Sequence, residues 1–162
     1  MKTPSAIFIL FVVGLLLAGC SIGPFGKDIE FITPSDTIVT EERTVSGFTG
    51  IDFRTFGQVV LTQGDAESVS IKGSDNIVPI IQLTVRDGVL VIQTEENINI
   101  TGMNEENELI FTIVVKDLTS LTISGVADVS MNSLSTTKLD LTMSGSGSVG
   151  LGDLMADSVN IT

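Results

Sequence analysis

The C-terminal third of the chain repeats itself at a spacing of 20 residues. Leu121-Thr122-Ile123-Ser124-Gly125 falls over Leu141-Thr142-Met143-Ser144-Gly145, Val129 over Val149, Met131 over Leu151 and Leu134 over Leu154. A third copy opens where Val159-Asn160-Ile161-Thr162 falls over Leu139-Asp140-Leu141-Thr142. Within each copy apolar residues alternate with polar ones, as in a strand with one buried face. Positions 121, 141 and 161, with 123 and 143, are expected to point inward. Thr122, Thr142 and Thr162 are expected to form an outward ladder beside Ser120, Asp140 and Asn160. A unit this short cannot bury its own face. Stacking units at about 4.8 Å pairs the backbone groups of neighbours and builds one continuous core. The repeat therefore predicts a β-solenoid.

That frame explains a motif that otherwise reads as nucleotide chemistry. Gly145, Gly147 and Gly150 spell G-x-G-x-x-G after a strand-like run. A pyrophosphate loop needs a helix after the third glycine; here Leu151-Gly152-Asp153 and a further strand pattern follow. The preceding copy carries Ala127 and Ser130 instead of glycines. Ser124, Gly125, Ser144, Gly145 and Gly147 are read as structural corners, where glycine accepts backbone angles that other residues avoid. Calcium-binding nonapeptide repeats need a nine-residue period, which nothing here supplies.

Upstream the chain is a succession of short Thr/Val/Ile-rich runs: 37–45, 58–63, 68–72, 80–86, 89–94 and 109–116. Asp87-Gly88 between two of them marks a hairpin, because a type I′ turn needs positive φ at both central residues. The fold class expected is all-β, parallel in its coils with some antiparallel hairpin character in the N-terminal half. Residues 95–108 hold five Glu and four Asn. They lack the ligand spacing of a calcium loop and read as a solvated connection.

The first residues carry an address. Lys2 precedes an uncharged apolar run, 6–18, that ends in Leu17-Ala18-Gly19-Cys20. A bilayer-spanning helix needs roughly 20 apolar residues, so the run is short for a span and suits a signal-peptide core. The ending closely resembles the lipobox of bacterial lipoproteins. That resemblance implies peptidase recognition at Leu17, Ala18 and Gly19, with lipid on Cys20. More than one acyl chain suffices for stable anchoring. The expected organisation is a signal peptide over 1–19, a lipid-anchored tether over 20–36 and a β-solenoid over 37–162. The expected location is the cell envelope, at an outer membrane or cell surface.

The side-chain inventory weighs against catalysis. The chain has no His, Trp or Tyr, one Cys, and a formal net charge of −12. Without His, nothing titrates near neutrality unperturbed. The acidic balance repels nucleic acid, and no cofactor or metal is expected.

Arg43-Thr44-Val45-Ser46-Gly47-Phe48 with Ile51, then Gly57, Val59 and Gln63-Gly64, then Asp87-Gly88-Val89-Leu90 and Ser144-Gly145-Ser146-Gly147 form an ordered series. It resembles the bacterial GIN-domain family, labelled as an auto-transporter adhesin head and of unknown function. The resemblance spans roughly residues 40–162. It implies a right-handed single-stranded parallel β-helix on secreted or lipid-anchored envelope proteins, and it carries over no catalytic residues. Members usually continue through further coils, so a truncated C-terminus with an open solenoid end, able to self-associate, is expected.

The function expected is that of a non-catalytic surface scaffold, adhesion or binding module, with surface polysaccharide or another envelope protein as partner. Two alternatives stand beside it. One is an envelope-sensing regulatory domain that needs a membrane partner. The other is a polysaccharide-active β-helix enzyme using Asp128 and Asp140 as paired carboxylates.

Overall fold

A computed structural model describes residues 28–162, so Leu17, Ala18, Gly19 and Cys20 lie outside the described residues. The strands are β1 (Glu30–Ile32), β2 (Ile38–Arg43), β3 (Gly50–Phe53), β4 (Phe56–Gln63), β5 (Ser68–Ser74) and β6 (Ile81–Arg86). They continue with β7 (Val89–Thr94), β8 (Ile98–Ile100), β9 (Ile110–Val115), β10 (Ser120–Ile123), β11 (Val126–Met143) and β12 (Ser146–Ile161). One turn of 3-10 helix, Val78–Ile80, precedes β6, and no α-helix occurs among the described residues.

The repeat becomes parallel pairing. Leu121 sits beside Leu141 in the β10–β11 pair, and Val129, Met131 and Leu139 of β11 sit beside Val149, Leu151 and Val159 of β12. Leu121, Ile123, Val129, Met131, Leu134 and Leu139 are all buried. The stretch from Gly145 to Gly150 leads into and along β12, with no helix after it.

The chain as a whole is all-β, but its strands do not form one uninterrupted parallel helix. Ten of the twelve strands, all except β1 and β8, join a single mixed sheet, ordered β2-β5-β9-β4-β11-β10-β3-β7-β6 with β12 on β11. The long β11 bends, pairing with β4 through its first half and with β10 through its second, so the sheet curls around one apolar core. Antiparallel neighbours close the path at both ends: β2 on β5, β5 on β9, and β6 on β7. The β6–β7 hairpin turns at Asp87 (φ 50°) and Gly88 (φ 77°), the two positive values that its sequence demands.

The strands β3 and β4 beneath the repeats, termed the lower coil, are the part that the 20-residue period does not reveal. Gly50 pairs with Ser120, Phe53 with Ile123, Phe56 with Val126 and Leu61 with Met131. The strands β5 to β9 are inserted between them in sequence. That lowest coil rests in turn on β7 and β9, again in parallel.

The stretch read as a tether also differs in its later residues. Glu30–Ile32 pairs in parallel with Ile98–Ile100, and Asn76 accepts from the Ser35 amide and donates to the Thr33 carbonyl. Three residues are too few for an alternation to show in sequence.

Candidate functional site

Two surfaces converge on the coil stack. The first is the outward face of the strands β6, β7, β3, β10, β11 and β12. Register places Thr84, Val91, Asp52, Thr122 and Thr142 in one row across it. The Thr162 amide donates to the Leu141 carbonyl, so Thr162 continues the row. The neighbouring row runs Arg86, Val89, Gly50, Ser120, Asp140, Asn160. The expected threonine ladder is therefore the upper part of a longer polar face.

At its lower end this face is concave, enclosing about 350 Å³ between Asp52, Arg54, Gln82, Arg86, Asp87 and Gln93. The Arg54 guanidinium donates through Nε and Nη2 to Asp52 Oδ2, at 2.9 and 2.5 Å. That hydrogen bond and charge raise the already high Arg54 pKa, so the group stays cationic at every accessible pH. Arg54 and Arg86 are two of only three arginines in an otherwise acidic chain. Planar amides, a guanidinium and a carboxylate side by side can exchange hydrogen bonds with a ligand rich in hydroxyls.

The second surface is a groove between the acidic connector and the coil corner. Met103, Asn104, Glu105 and Glu108 form one wall; Phe56, Val126, Ala127 and Asp128 supply the floor and the other side, around about 310 Å³. The connector is braced. Asn107 Oδ1 accepts from the Asn104 amide, and Asn104 Oδ1 accepts from the Glu106 amide.

Ser124-Gly125 and Ser144-Gly145 occupy equivalent bends, while Gly147 lies within β12. Gly125 and Gly145 do not have positive φ. Instead each lies against the coil below: a Cβ on Gly125 would fall on the Thr55 carbonyl, and one on Gly145 on the Gly125 carbonyl. Ser124 and Gly125 amides both donate to Phe53 O, and Ser144 and Gly145 amides both donate to Ile123 O. Thr55, at the equivalent position below Gly125, is buried and its Oγ1 lies 2.7 Å from Thr94 Oγ1. Gly147, in contrast, does sit at φ +124°.

The two carboxylates weighed as an acid–base pair are not brought together. Asp128 lies in the half of β11 that pairs with β4, and its Oδ1 accepts from Ser148 Oγ at 2.6 Å. Asp140 lies in the other half, beside Ser120, and pairs with Lys138 Nζ at 2.7 Å.

With the stack and its two surfaces in place, comparison decides the family. A model described as "Putative auto-transporter adhesin, head GIN domain" matches residues 47–162. The chain belongs to the GIN-domain family. Among solved structures, a "putative adhesin" from Bacteroides fragilis NCTC 9343 superposes with a TM-score of 0.75 at 30% identity, over 80% of this GIN chain and 60% of that one. A "putative adhesin" from Parabacteroides distasonis ATCC 8503 gives 0.58 at 17% identity, over 80% and 63%. A "putative lipid binding protein" from the same organism gives 0.57 at 15%, over 82% and 63%. The last two likenesses concern the fold alone. The GIN chain thus spans about 60% of the length of the Bacteroides protein. No curated protein matches it.

Proposed function

We propose that this GIN-domain chain is a non-catalytic binding module of the bacterial envelope, anchored through lipid on Cys20, with the polar face across β6 to β12 as its contact surface. We further read residues 120–161 as coils of a right-handed β-helix that hold this face rigid. The observation that carries the proposal is the row from Thr84 to Thr162, which sets polar side chains at strand spacing on five of six paired strands, with Val91 the apolar member. A rigid, flat array needs little ordering on binding, which favours contact with an extended polymer. The adhesin-like neighbours support the same class of role, and the hydroxyl-matching groove at Arg54 and Gln93 favours surface polysaccharide as the ligand.

The test uses cells that display the full chain, retained on surfaces coated with envelope polysaccharide. Retention is expected to fall several-fold in an Arg86→Ala, Gln93→Ala double variant, and Cys20→Ser is expected to move the protein out of the membrane fraction. Retention unchanged by the double variant contradicts the surface; membrane association unchanged by Cys20→Ser contradicts the anchor.

A further inference from the structure

We propose that the groove between the acidic connector and the coil corner docks an extended basic segment of a partner protein, seating a lysine or arginine side chain. Its floor is apolar where a strand surface is usually polar. Val126 is 58% exposed in the row of β11 that faces away from the core, directly beside half-buried Phe56. The rim carries Glu105, Glu108 and Asp128, and no basic residue lines the cavity. Two of these head groups are held in place: Glu108 Oε2 accepts from Gln58 Nε2 at 2.8 Å, and Asp128 Oδ1 accepts from Ser148 Oγ.

A methylene stem ending in a cation matches that arrangement, since long basic side chains bury the stem and keep the head among polar groups. The net charge of −12 steers cations toward the chain, and the rim localises them. Charge complementarity alone would also admit an aminosugar polymer. The apolar floor favours the peptide, because sugar hydroxyls set against Val126 and Phe56 would lose water without gaining a partner. This groove is separate from the polar face, so its test stands apart from the adhesion assay.

The experiment is fluorescence anisotropy of the detergent-solubilised full chain with a labelled peptide of alternating lysine and valine. Saturable binding that weakens at high salt is expected. Glu108→Gln with Asp128→Asn is expected to weaken it about tenfold, two partly desolvated charge contacts being lost. Glu95→Gln with Glu96→Gln makes the same change of net charge outside the cavity and is expected to stay within about twofold. Val126→Ser, a surface change that leaves the fold intact, is expected to cost about threefold through lost apolar contact. Absence of saturable binding, equal losses in the two double variants, or equal affinity for an alternating lysine–serine peptide overturns the proposal. So does an aminosugar oligomer that binds with the same dependence on Val126.

Discussion

The segment Gly50–Gln63 and the segment Leu141–Ile161 are built on the same alternation, yet among the described residues the inward side chains of one are covered and those of the other increasingly exposed. Along a single inward column, exposure runs from 1% at Ile51 and Leu121 to 9% at Leu141 and 71% at Ile161. The lower coil is covered by non-repeating strands. β9 brings Phe111 and Ile113, and β5 brings Val69 and Ile71, all fully buried. Phe53 meets Phe111 edge to face, with centroids 5.1 Å apart. No phenylalanine occurs after Phe111, so the buried aromatic rings sit in the base among Ile, Val and Leu, and the upper coils are filled by Leu, Ile, Val, Met and Ala. The comparison teaches that the repeat supplies geometry while the insertions supply about half of the core.

The largest effect expected from that contrast is at the buried column. Leu121→Ala should cost about 3 kcal/mol of unfolding free energy, a cavity-forming truncation, whereas Ile161→Ala should stay within about 0.5 kcal/mol. Denaturant titration of both reads the difference, and equal costs would break the comparison.

The corners sharpen it. Gly125→Ala drives a methyl into the Thr55 carbonyl inside the supported stack and should cost about 2 kcal/mol. Gly145→Ala makes the same collision in the top coil, where β12 has no strand on its outer edge among the described residues. The backbone there can shift, so its cost should be smaller, and thermal melts of the two variants should rank them in that order.

A smaller effect is expected at Gln63, whose amide acts as a short piece of strand. Its Oε1 accepts from the Ser135 amide, while Nε2 donates to the Ser135 and Lys116 carbonyls. Gln63→Ala should cost about 1 kcal/mol, and amide exchange at Ser135 should quicken while that at Leu121 does not.

The smallest is a pH effect at the entry to the lower coil. The Glu67 carboxylate accepts from the amides of Gly47 and Phe48, at 3.0 and 3.1 Å, with Lys116 near by. The Gly47 hydrogen bond foremost, aided by the Phe48 bond and the Lys116 charge, lowers its pKa below 4.5. A carboxylate with a lowered folded pKa stabilises the fold above its unfolded pKa, and that stabilisation disappears as pH falls through the folded value. Acid titration should therefore show a steeper loss of stability below about pH 4.5 in the parent than in Glu67→Gln. Identical acid profiles would contradict the assignment.

Legibility in the sequence followed the length of the connections. The repeats at 121 and 141 were visible because only a Ser-Gly corner separates their strands, leaving the spacing constant. The coil beneath has the same alternation, with Phe56-Gly57-Gln58-Val59-Val60-Leu61 matching Val126-Ala127-Asp128-Val129-Ser130-Met131. It stayed hidden because Arg54-Thr55 replaces the Ser-Gly pair and two long excursions intervene. An ungapped comparison at larger offsets would have found it. At Gly125 and Gly145 a carbonyl of the strand below comes close, and such an approach leaves no mark in a single strand, whereas Gly147 has the positive φ expected of it but lies within β12. The acidic connector was legible as solvated; its meeting with Phe56 and Val126 was not, because that depends on tertiary placement.

The central claim is that residues 50–61 lie directly beneath 120–131, and paired cysteines test it most directly. In a Cys20→Ser background, Asp52→Cys with Thr122→Cys joins neighbours in register, whose Cα atoms fall within the roughly 4.4–6.8 Å that a disulfide spans. Asp52→Cys with Thr142→Cys places them two strands apart, about 9.6 Å at usual strand spacing. The account predicts rapid oxidation of the first pair and none of the second under mild oxidant. Cross-linking of 52 to 142, or failure of 52 to reach 122 in the folded chain, would contradict it.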